Sequence, residues 1–283
     1  MTAVVLGALS AFLFGVMTVL VRIALRTGVA PELGSLFTIL PAAAVTLVVA
    51  LARGSWDFAG AWPFVLAGLL APGIAQILFT FAVRDAGASR TSVTVGTAPL
   101  FAVATALVFL DEPLVAGLVV GAALIVTGGI LLASDRARPE HFKRIGLIYA
   151  LIGTAAFATR DTLVRWLVTD VSDVDPVLAA SVAMLTGVVV ALAFVLLKRA
   201  PVTRAAAVGF IPAGLCYGLS YVFLFEAFDH GRVSVVSPIV ATESLWGVTL
   251  SWLVLQKSEH VGQRLVAGAV LVVAGGVLIG IYR

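Results

Sequence analysis

Charge is what this sequence has least of. Asp, Glu, Lys and Arg together make up 12% of its 283 residues, about half the share in a soluble domain. With so few charges and 61% hydrophobic residues, a water-soluble fold of this length would expose more apolar surface than it can enclose. The single cysteine, Cys216, excludes an internal disulfide. Histidine is scarce too: His141, His230 and His260 all fall between apolar runs, which excludes metal ligands spaced along a helix face. There is no G-x-S-x-G elbow, no P-loop and no G-x-G-x-x-G after a strand, so no enzyme class and no cofactor are indicated. The net charge is only +3 and no Lys/Arg run is interleaved with aromatics, which argues against a nucleic-acid partner. The opening stretch lacks a basic n-region and is longer than a usual signal-peptide core, so it reads as a first membrane span.

What the sequence has instead is long apolar runs. Hydrocarbon about 30 Å thick takes about twenty apolar residues in a helix, and only a helix or closed barrel satisfies its own backbone there. Such runs recur near residues 3–22, 32–52, 62–83, 91–110, 114–133, 145–167, 176–197, 205–227, 233–255 and 264–282, without barrel-like alternation. The pattern predicts an all-α integral membrane protein with ten transmembrane helices joined by short turns. Residues 110–132 and 257–279 are near copies, matching at Glu112, Leu118, Val119, Gly121, Ala122, Leu124, Val126, Gly128, Gly129 and Leu131. The likeness runs through both halves: Phe14 aligns with Phe157, Leu20-Val21-Arg22 with Leu163-Val164-Arg165, Pro31 with Pro176, Ala82 with Ala227 and Ser89 with Ser234.

Residues 1–133 and 145–283 therefore read as two five-helix repeats around a basic linker, 134–144, carrying Arg136, Arg138, Lys143 and Arg144. An odd number of spans per copy makes the second enter the membrane from the opposite side, giving inverted repeats. Loop charges agree. Arg22, Arg26, Arg84 and Arg90 follow the first and third spans of one copy, whereas Lys198, Arg199, Arg204, Lys257 and Arg264 gather at the second and fourth loops of the other.

The passages TAPLFAVATALVFLDEP at 97–113, ATESLWGVTLSWLVL at 241–255 and FAVRDAGASRTS at 81–92 resemble the ten-helix EamA-type carriers of the drug/metabolite transporter superfamily, and the resemblance covers essentially the whole chain. It implies a cell-membrane carrier on a scaffold that serves many cargoes: amino acids, sugars, nucleotide sugars and drugs. Many EamA proteins carry Glu-Pro where this chain has Glu243-Ser244. The family also implies cytoplasmic termini, whereas about thirteen basic residues fall on the side opposite the termini; orientation stays open between the two.

Ionisable residues inside spans are costly and mark function or paired structure. Four qualify: Arg160, Asp161, Glu226 and Glu243. Arg160 and Asp161 are adjacent and point about 100° apart, so Asp161 is expected to reach Arg165 at i+4, leaving Arg160 for another helix or an anionic ligand group. The first copy has Met17 and Thr18 at these positions. Glu243 aligns with Ala98 and has Trp246 one turn on, a pairing suited to an ammonium by charge and cation-π contact, or to a proton. Glu226 is placed to snorkel to the interface. Tyr217 and Tyr221 share a helix face, with Ser220 and Gln76 as possible polar partners; each is equally an ordinary packing residue. Prolines 41, 72, 99, 212 and 238 are expected to kink spans or hinge them, and Gly117/Gly121 and Gly276/Gly280 to form packing seams, with dimerisation as the alternative.

The expected function is transport of a small polar metabolite, above all an amino acid or related compound, through alternating access of the two repeats, with proton coupling open and the protein a monomer or homodimer among membrane lipids. The substrate-binding candidates are Glu243, Trp246, Arg160, Asp161, Tyr217, Tyr221 and Gln76. A non-transporting scaffold or receptor and a drug-efflux carrier are the alternatives. A channel would need a ring of repeated polar residues along a pore, and none is present.

Overall fold

The structure, a computed structural model, describes residues 2–101, 116–134, 142–231, 233–255 and 262–282. The helices are α1 (Thr2–Leu25), α2 (Pro31–Ala52), α3 (Phe64–Ala86), α4 (Ala88–Val95), α5 (Ala116–Ser134), α6 (Ile145–Trp166), α7 (Pro176–Lys198), α8 (Arg204–His230), α9 (Val233–Val240), α10 (Glu243–Leu250) and α11 (Gln263–Tyr282). Among the described residues there is no strand, and eight helical stretches are long and apolar enough to cross a membrane. Parts of the expected fourth and fifth spans and of the linker, with His141 and His260, lie outside the described residues.

Local chemistry sets the boundaries. Proline at the first position opens α2 and α7, where its missing N–H would be unpaired anyway. Asp175 caps α7 by accepting from the N–H groups of Val177 and Leu178 at 2.9 and 3.0 Å. Gly87, at φ 92°, alone separates α3 from α4, a left-handed joint that suits glycine. Within α3 the ladder loosens into a wide turn over Leu69–Ile74, where Ala71 leaves helical geometry and the Ala71–Pro72 bond is cis. Pro41 lies inside α2 without breaking it, and Pro212 begins the main part of α8 rather than kinking it.

The distribution of polarity is that of a membrane protein. Large apolar side chains point outward, with Leu197 81% and Ile281 69% exposed, while Ser10, Thr38, Thr46, Gln76 and Thr80 are buried. Interior hydroxyls turn back onto their own helices, as when Thr38 and Thr154 donate to the carbonyls of Gly34 and Ala150, each at 2.7 Å.

Helices pair across the two halves of the chain: α1 packs on α8, α3 on α6, α2 on α7 and α5 on α11. The α5–α11 seam is glycine on backbone. A Cβ at Gly128 would stand 2.7 Å from the Gly268 carbonyl, and one at Gly121 would stand 2.8 Å from that of Gly275. The expected seam thus uses Gly121 but pairs it with Gly275; Gly117 faces Tyr282, and Gly276 turns toward Pro99. Within each half an arginine ties the end of one helix to the end of another. Arg22 Nη1 donates to the carbonyls of Val83 (3.4 Å) and Arg84 (3.2 Å), and Arg165 Nη1 donates to that of Phe228 (2.5 Å).

Candidate functional site: a cavity at two broken helices

Both EamA-like signature passages break at equivalent places. After α4 the chain turns at Gly96–Thr97 and resumes helix at 98–101; after α9 it turns at Ala241–Thr242 and resumes as α10. In each turn a threonine hydroxyl donates to the carbonyl three residues back, Thr97 to Thr94 and Thr242 to Ile239, both at 2.6 Å. Pro238 inside α9 removes a further ladder donor just before the second break. Glu243, expected near the middle of a continuous helix, is therefore the first residue of a half-helix. A carboxylate is favoured there by the helix dipole.

The break opens onto a cavity with about 40 Å³ of water-accessible space, room for about three waters. Its polar lining is Ser10 of α1, Arg160, Asp161 and Thr162 of α6, Ser237 of α9 and Glu243 of α10; Phe14, Pro99, Phe157 and Leu224 supply much of its apolar wall. Glu243 is 5% and Arg160 2% exposed.

Arg160 and Asp161, expected to diverge, instead pair: Arg160 Nε stands 2.7 Å from Asp161 Oδ1. The long arginine stem folds back far enough to overcome the angular separation of neighbouring positions. The contact is Coulombic and oblique, so Arg160 Nε and Nη1 and Asp161 Oδ1 have no aligned hydrogen bond among the described residues. Arg160 also lies over two rings, with its guanidinium carbon 4.8 Å from the Tyr221 centroid and 5.7 Å from that of Phe157. Arg165, the partner expected for Asp161, donates to the Phe228 carbonyl. With one cation and two carboxylates, the cavity carries a formal charge of −1 when all three are ionised.

The other sequence candidates take different places. Tyr217 and Tyr221 are fully buried behind Arg160, their hydroxyls 3.3 Å apart, and belong to an aromatic cluster in which Phe14 meets Phe79, Phe157 and Tyr217 edge-on. Trp246 does not join Glu243. It is 41% exposed and packs edge-on against Phe12, with centroids 5.1 Å apart, because Glu243 faces inward while Trp246, about 60° round the same helix, faces outward. Gln76 is wholly buried away from the cavity lining, and neither of its amide atoms is hydrogen-bonded among the described residues. Ser220 exchanges hydrogen bonds with Ser10, each hydroxyl donating to the other's carbonyl at 2.9 to 3.1 Å. Glu226 does not reach toward solvent alone: it pairs with Arg53, which also lies 3.9 Å from Asp175, and so links the ends of α2, α7 and α8.

Sequence reasoning missed Ser10, Thr162 and Ser237 as cavity residues. Lone hydroxyls are common in apolar helices, and only the contact of α1 with α9 and α6 gives these three a shared address.

A family model described as the EamA-like transporter family matches the chain twice, over residues 1–134 and 144–281. One solved crystal structure is similar in fold, 18% identical with a TM-score of 0.63, covering 95% of this chain and 96% of that one. No curated protein matches the chain.

Proposed function

Because the chain belongs to the EamA-like transporter family, and is thereby a multi-pass membrane protein of the transporter class, we propose that it carries a small zwitterionic metabolite, of the amino-acid type, across the cell membrane through the cavity at the broken helices. The observation that carries this reading is the convergence of Arg160, Asp161 and Glu243 on one cavity. A ligand carboxylate would meet Arg160, whose Nε and Nη1 have no aligned hydrogen bond among the described residues, and a ligand ammonium would meet Glu243. Buried charges of this kind are retained at a cost in stability and mark cargo or ion pathways. The modest size of the cavity favours a small metabolite over a bulky drug.

Alternating access supplies the mechanism. Ten spans, arranged as inverted repeats 1–133 and 145–283 around the linker 134–144, would rock about the cavity. The reciprocal pairing of α1 with α8 and α3 with α6, and of α2 with α7 and α5 with α11, supports that arrangement. So do the equivalent breaks after α4 and α9. Proton coupling would run through Glu243, the cavity carboxylate that is not paired with Arg160.

The test is flux in proteoliposomes against a panel of amino acids and small metabolites. Wild-type protein is expected to accelerate at least one zwitterion over empty vesicles. Glu243→Gln should lower that flux tenfold or more at unchanged thermal stability, and should remove pH dependence if Glu243 carries the coupled proton. Full flux in a folded Gln variant overturns the assignment of Glu243; absence of any flux or binding would favour a non-transporting scaffold.

A further inference from the structure

A second binding feature lies on the lipid-facing surface. The starts of α2 and α6 and the ends of α3 and α7 meet there, around a groove of about 290 Å³ bounded by Ile77, Leu78, Phe81, Tyr149 and Phe194, with Glu32 and Lys198 at its rim. Glu32 is in the first turn of α2 and Lys198 is the last residue of α7, so the rim stands at headgroup level. Ile77 lies about 10 Å deeper than Arg84 at 1.5 Å per helical residue. The groove is thus polar at the interface and apolar toward the bilayer centre.

Its walls are held by rings. Phe81 meets Tyr149 and Phe194 edge-on, with centroids 5.7 and 6.2 Å apart. Arg84 lies 4.7 Å over Phe81, but two hydrogen bonds of 2.8 and 2.7 Å to Asp85 neutralise its charge. Lys198 touches the Phe194 ring at 5.7 Å, and Glu32 lies within electrostatic reach of the Arg84 that Asp85 already holds. The rim of the groove therefore offers the ammonium of Lys198 and the carboxylate of Glu32.

We propose that this groove binds a glycerophospholipid whose headgroup is zwitterionic and bears a primary amine. Its phosphate meets Lys198, its ammonium donates to Glu32, and an acyl chain lies along Ile77, Leu78 and Phe194. Charge complementarity selects this occupant. An anionic headgroup would place negative charge beside Glu32, and a quaternary amine has no N–H to donate to the carboxylate.

Native mass spectrometry of delipidated protein with equimolar phosphatidylethanolamine, phosphatidylcholine and phosphatidylglycerol tests it. Ethanolamine lipid should be retained at least threefold over the other two. Glu32→Gln should equalise ethanolamine and choline lipids, while Lys198→Gln should weaken both. Both residues lie at helix ends, so either variant alone decides the matter if the other is unstable. Equal retention by the wild type, preference for the glycerol lipid, an ethanolamine preference that survives in folded Glu32→Gln, or undiminished retention of both lipids by folded Lys198→Gln would overturn the proposal. Soluble phosphoethanolamine should fail to displace the lipid; displacement at equal concentration would mark the groove as a site for a free metabolite instead.

Discussion

The Arg160–Asp161 pair separates two roles that a single substitution would blur. Asp161→Asn removes the carboxylate paired with a buried guanidinium and leaves only the unpaired Glu243 in the cavity to offset it, a break of a buried pair that costs about 3–5 kcal/mol. A marked fall in unfolding temperature in detergent is expected. The double variant Arg160→Met, Asp161→Leu removes both charges and should regain most of that stability while binding no carboxylate-bearing ligand. If the single and double variants unfold alike, the pair is not held by its charges. The sequence made these two residues conspicuous as charges in apolar helices, yet misjudged their geometry, since spacing rules describe where Cα–Cβ bonds point and not how far an arginine folds back. It erred in the other direction with Trp246, which shares α10 with Glu243 but stands about 60° round the helix from it, far enough to turn outward while Glu243 faces the cavity.

At the scale of the element, the α5–α11 seam gives neighbouring glycines opposite sensitivities. Gly128 has the Gly268 carbonyl in the path of any side chain, whereas Gly129 has open space within 4 Å. Gly128→Val is therefore expected to destabilise by about 1–3 kcal/mol through overpacking. Gly129→Ala should be neutral or stabilise by about 0.4–1 kcal/mol, as alanine restricts the unfolded chain. Thermal unfolding of the two variants checks both. Helix existence and the copied glycine pattern were legible from apolar runs and repeat alignment. The breaks at Gly96–Thr97 and Ala241–Thr242 were not, because the turn residues there are ordinary in helices and the interruption depends on threonine hydroxyls capturing carbonyls three residues back.

For the molecule as a whole, the pairing of helix ends predicts sidedness. Lys143 donates its N–H to the Asp85 carbonyl at 2.7 Å, and Ser172 donates to that of Gly60 at 2.9 Å; α6 lies between the two sites. Single cysteines placed in the linker 134–144 and at Asp173 should react with impermeant reagents on opposite faces of sealed vesicles. Same-side labelling would remove the inverted arrangement, and the face that carries the linker will choose between the charge distribution and the family expectation for the termini. At the helix ends Arg22 and Arg165 fasten to backbone carbonyls, which every residue provides. A tie to a carbonyl does not depend on the acceptor's side chain, so positions 83 and 228 can differ as widely as valine and phenylalanine while the same kind of brace stands in both halves.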